Sequence, residues 1–269
     1  MCDIRRKFFF ATEEAKHYDE TIEMVVPRYK DLHELMLRLG EESIRTREAE
    51  GAPIILDIGS GTGAEAIPFL KRNPLVRVVG VDLCSEMHDI FVKNARSAGV
   101  GPDRYELLTG DILDPAIEAK ILQTLTSRFD ARSASTIISA FTVHHFDRAQ
   151  RADVFRLTHS LVESGGVFLL GDLFNYAEES GWLTSHIFSR EVNWITDNFR
   201  DRIEKARKRK EWKTVQRYED LRESWVSHYN TDNQLDSMSV QMRQLQEVGF
   251  TERGNPFRYW QVGLLWARK

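Results

Sequence analysis

Apolar residues recur at two different periods along this chain, and the change of period predicts its elements. Over residues 12–48, Ile22, Val25, Val26, Tyr29, Leu32, Leu35, Met36 and Leu39 fall at helical spacing, with a break near Pro27. Short, mostly apolar runs follow at 54–58, 76–81, 105–109, 134–141 and 167–172. Runs of that length belong to strands buried in a parallel sheet. Helical stretches separate them, at 62–71, from Ser85 onward, at 117–125 and at 148–162. Strand and helix in alternation predict a doubly wound α/β fold with a mostly parallel sheet.

Two segments do not fit the alternation. Residues before 51 have no place in the sheet and must pack on it or cover a ligand. Residues 174–230 are too many for a simple connection and read as helical. Trp182, Trp194, Trp212 and Trp225 all fall there. The chain returns to the core with a helix at 234–248, stopped at Gly249-Phe250, and an antiparallel pair at 251–257 and 259–267. The expected organisation is a single domain over 1–269. It comprises a helical cap (1–50), a ligand-binding core (51–173), a substrate-recognition insertion (174–231) and a closing helix and hairpin (232–269).

The richest chemistry sits at Asp57-Ile58-Gly59-Ser60-Gly61-Thr62-Gly63. Glycines at every second position let the backbone turn tightly and approach a ligand, with Thr62 expected to cap the next helix. Gly59, Gly61 and Ala64 also satisfy the dinucleotide fingerprint. Asp57 opposes that reading, since a carboxylate at the loop's mouth repels a pyrophosphate and attracts an ammonium group. Asp82 follows 25 residues later, one βαβ unit on, where it can accept both ribose hydroxyls and cap the helix from Ser85. Leu83 and Met87 are placed to pack on an adenine ring. Gly110-Asp111-Ile112 ends the third strand. His144 and His145 follow the fourth strand at its carboxyl end, which faces the ligand crevice. His144 is the candidate base or acceptor contact. The pair is not read as a metal site, because adjacent side chains diverge and no nearby acid completes a ligand set. Tyr18 and Tyr29 are candidates to cap the ligand, Tyr18 with a catalytic role.

Asp57, Gly59, Gly61, Gly63, Asp82 and Asp111 occur in the order and spacing of the class I S-adenosylmethionine-dependent methyltransferases, whose first motif reads D-x-G-x-G-x-G. The resemblance covers residues 54–173 and 232–269. It implies S-adenosylmethionine as cofactor, S-adenosylhomocysteine as product, and a seven-stranded sheet whose last strand is antiparallel. It further implies that Asp111 accepts from the adenine amino group with Ile112 against the ring, and that Ser60, Ala140 and Phe141 complete the cofactor contacts. Ser164 stands where related sequences carry the proline of a Pro-Gly-Gly turn. Val26-Pro27-Arg28-Tyr29, Phe141-Thr142-Val143 and Gly249-Phe250 also resemble the carboxy-S-adenosylmethionine synthases of tRNA modification. Those enzymes hold the extra carboxylate with an arginine from the insertion, for which Arg217 and Arg222 are candidates.

Composition narrows the picture slightly. The 269 residues are 42% hydrophobic and 29% charged with a net charge of −4, so nucleic acid is not an expected partner. Residues 200–213 hold eight basic residues against three acids, either a solvated helix face or a site for an anionic group. Cys2 and Cys84 are the only cysteines, which fits a reducing cytoplasm. The basic residues of 1–7 precede only Phe8-Phe9-Phe10, too brief for a signal peptide's apolar core, and no apolar stretch reaches membrane-spanning length. The expected activity is methyl transfer to a small molecule by a monomer or homodimer. A carboxy-S-adenosylmethionine synthase, an NAD-dependent oxidoreductase and a non-catalytic cofactor binder are the alternatives.

Overall fold

The computed structural model describes residues 12–47, 51–231 and 233–269. The basic N-terminus with Phe8–Phe10, Cys2, Glu48 and Asp232 lie outside the described residues. Five parallel strands form the centre: β1 (Ile54–Ile58), β2 (Arg77–Asp82), β3 (Tyr105–Thr109), β4 (Ala134–Ala140) and β5 (Val162–Leu173). With β6 (Glu252–Tyr259) and β7 (Val262–Arg268) they make one seven-stranded sheet in the order β3-β2-β1-β4-β5-β7-β6. β7 runs antiparallel to both β5 and β6, as the resemblance implies.

Helices cover both faces because successive strand residues point to opposite sides. Ile55, Val78, Ile138 and Leu169 face one layer. It is made by α1 (Thr12–Val25), α2 (Tyr29–Thr46), α3 (Ala66–Arg72) and α4 (Ser85–Ser97). Ile54, Leu56, Val79, Ile137 and Phe168 face the other. That layer holds α5 (Pro115–Phe129), α6 (Arg148–Leu161) and α9 (Met238–Glu247).

The insertion is a helical hairpin, α7 (Gly181–Lys208) and α8 (Trp212–Thr231). Phe199 meets Tyr218 and Phe188 meets Tyr229, so the two helices run antiparallel. The hairpin holds α1 from outside: Asn198 donates to the Met24 carbonyl at 2.9 Å, Tyr218 to Glu20 at 2.5 Å, and Trp225 Nε1 to Thr21 Oγ1 at 3.3 Å. From inside, Asp19 accepts from Thr62 at 2.6 Å and from Asn94 at 3.0 Å. Cap and insertion therefore close over the same end of the sheet. No described helix is long and apolar enough to cross a membrane.

Three local expectations change. Thr62 does not cap α3, which starts four residues later with Glu65 at its N-cap, because the Thr62 hydroxyl is spent on Asp19. Residues 164–166 do not form a turn ending α6. β5 begins at Val162, and a register irregularity against β4 between Ala134 and Thr136 absorbs the glycines. The closing helix, expected from 234, begins at Met238, and residues 233–237 instead form a strap tied to the turn after β4. Arg151, 1% exposed, donates to Asp236 at 3.2 Å, to the Phe146 carbonyl at 2.9 Å and to the Gln234 carbonyl at 2.5 Å. Gln234 N in turn donates to the His144 carbonyl at 2.7 Å.

Candidate active site

In a sheet of this order, the chain leaves β1 in one direction to reach β2 and β3 and in the other to reach β4. A crevice opens where the directions part. The structure has a cleft of about 800 Å³ there. The glycine loop forms its floor. Gly59 N and Ser60 N both donate to the Val81 carbonyl, at 2.8 and 3.0 Å, fastening the loop to β2. Gly59 has φ +77°, and a Cβ there would lie 1.9 Å from Thr142 Oγ1, so only glycine lets the loop close on the turn after β4.

Asp82 stands at the centre of the cleft. Its Oδ2 accepts from Gly61 N and its Oδ1 from Cys84 N, both at 2.8 Å. Burial raises its carboxyl above the ordinary range, while the N–H groups of Cys84, Gly61 and Leu83 pull it back. Each oxygen keeps lone-pair capacity for a hydroxyl in the cleft. Gly59, Gly61, Leu83, Met87, Asp111, Ile112, Ala140 and Phe141 line the same space, with Tyr18 of α1 over it. Burial, reinforced by Glu65, Asp19 and Asp82, raises the Tyr18 phenol far above its usual value, so it stays protonated. Cys84 also lines the cleft, and burial pushes its thiol up to about 11.

Several sequence-based placements are corrected. Asp57 is not at the mouth of the loop. It is fully buried within β1 on the face it shares with Ile55, while Ile58 lines the cleft. Neither of its oxygens has a hydrogen-bond partner. Burial, and then the charges of Glu65 and Asp82, push its carboxyl well above the ordinary value. Ser60 turns away and meets His88 Nε2 at 3.2 Å; His88 in turn meets Thr109 at 3.1 Å. Gly63 serves packing, since a Cβ there would lie 2.6 Å from Ile67 and 2.7 Å from Phe91. Tyr29 lies behind the cleft wall, stacked on Phe141 at 5.7 Å.

Two half-buried residues beneath the loop were not singled out from sequence. Glu65 Oε1 lies 3.2 Å from His33 Nε2. Burial pushes Glu65 up to about 8 and His33 down to about 3, so both are uncharged at neutral pH. The contact is not an ion pair.

The histidines also differ from expectation. Val143–His145 is a turn of 3₁₀ helix, not extended chain, so adjacent side chains do not diverge as they would in a strand. The His144 and His145 rings are 4.0 Å apart. An acid is present as well: Asp172 Oδ1 is 2.5 Å from His144 Nδ1, and its Oδ2 accepts from His144 N at 3.0 Å. His228 of α8 completes a cluster, its ring 5.2 Å from that of His145 and 6.5 Å from that of His144. His145 borders the cleft, whereas His144 opens onto a second, smaller cavity. Tyr18, Phe141 and His145 line both spaces; Ile22, Trp225, His228, Tyr229 and Asn233 line only the second. No sequence signal linked His228 or Asn233 to the histidine pair, because the insertion supplies or borders both.

Neither Arg217 nor Arg222 lines either space. Arg217 lies 3.4 Å from Glu20. The basic run pairs outside the cleft: Arg200 with Asp197 at 2.7 Å, Lys205 with Asp201 at 2.6 Å and Arg207 with Glu219 at 2.5 Å.

Residues 55–166 match the family model described as a methyltransferase domain. A carboxy-S-adenosyl-L-methionine synthase of Nautilia profundicola is 22% identical over 169 residues, 63% of each chain. An O-methyltransferase family protein of Burkholderia thailandensis has a similar structure, with a TM-score of 0.64 at 15% identity over 98% of this chain and 62% of its own. PigF, solved with SAH, superposes with a TM-score of 0.55 at 12% identity, over 99% of this chain and 62% of its own. At these identities the solved structures speak for the fold. The chain spans less than two-thirds of the length of each of these three proteins.

Proposed function

We propose that this chain, whose residues 55–166 match a methyltransferase domain, is a class I S-adenosylmethionine-dependent enzyme that methylates a small molecule enclosed beside the cofactor cleft. The observation that carries this reading is the second cavity. It meets the cleft at Tyr18, Phe141 and His145, and α1 and α8 cover it. Trp225 and Tyr229 offer aromatic faces and the histidine cluster a polar one, the Trp225 ring standing 5.9 Å from that of His228. An acceptor with an apolar body and a hydroxyl, thiol or amine fits that polarity.

Methyl transfer is an in-line displacement with a neutral thioether leaving. Alignment and exclusion of water are the main contributions required of the protein. Asp82 would hold the ribose, Asp111 and Ile112 the adenine, and Tyr18 with Phe141 the reacting end. The histidine cluster would orient the acceptor's polar end toward the methyl group.

The carboxy-S-adenosylmethionine reading has the named relatives behind it. It needs a cation for the extra carboxylate, and no lysine or arginine among the described residues lines either space. The plain methyl donor is therefore preferred, and an anionic acceptor is not part of the proposal. A dinucleotide would bring its pyrophosphate to the N-terminus of α3, where Glu65 stands. Two cysteines without a disulfide framework suit a cytoplasmic enzyme, working as a monomer or homodimer.

The test offers methyl-labelled S-adenosylmethionine with panels of small phenols, thiols and amines, and with transfer RNA in parallel. Label should enter a small acceptor. Ile22→Phe, which fills only the second cavity, should keep S-adenosylhomocysteine affinity while lowering turnover at least ~tenfold. Label entering only transfer RNA, or carboxylated cofactor extracted from the protein, would overturn the reading.

A further inference from the structure

We propose that His144, His145 and His228 form a binding site for one divalent transition-metal ion of the zinc class. The ligand nitrogens of the three rings lie within 4.8 Å of one another. Tetrahedral zinc with Zn–N bonds of about 2.0–2.1 Å holds its nitrogens about 3.3 Å apart, so modest ring rotations close the set. The two elements involved, the turn after β4 and helix α8, are far apart in sequence and meet here through the folded insertion.

The surroundings are those of a ligand set rather than of packing histidines. Asp172 engages His144 Nδ1 at 2.5 Å, which places the proton on Nδ1 and leaves the Nε2 lone pair as the donor atom. A carboxylate behind a histidine is the usual outer partner of a metal-bound imidazole. The same carboxylate also holds His144 N, so the ring and its backbone are fixed together. His144 and His228 are buried, at 4% and 5% exposure. Asn233 lines the same cavity with both amide atoms buried and without hydrogen-bond partners, so it can hold a water or acceptor bound to the ion. Three imidazoles, with no carboxylate or thiolate joining the set among the described residues, suit zinc and its neighbours rather than magnesium or calcium.

The consequence deepens the proposed function and rests on it. Three protein ligands leave one position open toward the acceptor cavity. A hydroxyl or thiol bound there would release its proton to solvent. Its electron pair would then form the bond to the methyl carbon as the carbon–sulfur bond of the sulfonium breaks, and neutral thioether would depart.

The test uses the full chain with any affinity tag removed, stripped by chelator and dialysed against zinc or cobalt alone. One ion should bind per chain, and cobalt should show the visible bands of a four- or five-coordinate site. His228→Gln and His145→Gln should each weaken zinc binding at least ~tenfold, and Asp172→Asn ~10–100-fold. The His145 ring is half-buried, so its variant remains informative if the buried His228 position does not tolerate change. Zinc binding well below one equivalent, or binding unchanged in both histidine variants, would overturn the site. S-adenosylhomocysteine calorimetry on the same samples separates the two readings. An intact cofactor site without zinc removes only the metal; a zinc site with no small acceptor removes only the acceptor reading.

Discussion

Replacing Glu65 by glutamine should change how stability depends on pH, by an amount that follows from its burial. The carboxyl has an ordinary value of 4.5 and is pushed up to about 8 in the fold. The folded state therefore binds more protons than the unfolded one across that range. The stability that the protonated acid contributes is complete below 4.5 and is lost as pH rises through 8. The difference, 8 − 4.5 = 3.5, corresponds to about 5 kcal/mol at 1.36 kcal/mol per unit. His33 has the opposite sign. Its value falls from 6.5 to about 3, so stability rises with pH between those limits. From 4.5 to 6.5 the two slopes cancel. Above 6.5 only Glu65 remains, and 8 − 6.5 = 1.5 leaves about 2 kcal/mol to be lost by pH 8. Urea denaturation of wild type and Glu65→Gln between about pH 6.5 and 8 reads this directly. The wild-type advantage over the variant should shrink by about 2 kcal/mol across that window. Parallel profiles would refute the account of a proton held beneath the loop. A cation bound above these acids favours their ionised forms, so S-adenosylmethionine should stabilise the protein more at the upper end of the window than at the lower.

Three further outcomes are expected. Asp82→Ala should weaken S-adenosylhomocysteine binding by about 2 kcal/mol, roughly thirtyfold by calorimetry, because it removes the ribose acceptor and strands the Gly61 and Cys84 N–H groups. Gly59→Ala should cost about 2–4 kcal/mol in a denaturation curve, from the positive φ and the collision with Thr142. A second change, Thr142→Gly, should recover the share due to the collision. Arg151→Met should cost about 3–5 kcal/mol, because Asp236 is left behind with a weaker set of partners. Near-wild-type stability there would show that the strap does not depend on this ion pair.

The sequence by itself determined the sheet and the cleft's outline. Strand runs of five to eight residues, alternating with amphipathic helices, leave few topologies. The glycine loop, Asp82 and Asp111 then fall at the carboxyl edge because consecutive βαβ units put them there. These are local patterns, written in spacing along the chain. Which way each side chain turns was decided by tertiary structure. Asp57 and Ile58 are neighbours, and the pleat alone sends the acid into the core and the isoleucine toward the cleft. His144 and His145 converge because their turn is 3₁₀ and not extended, and Asp172 of β5 holds one of them. His228 joins them only because α8 folds back across the sheet and α1 is pinned between the two. Contacts between residues so far apart carry no period in the sequence; they arise when packing brings separate elements to one end of the sheet.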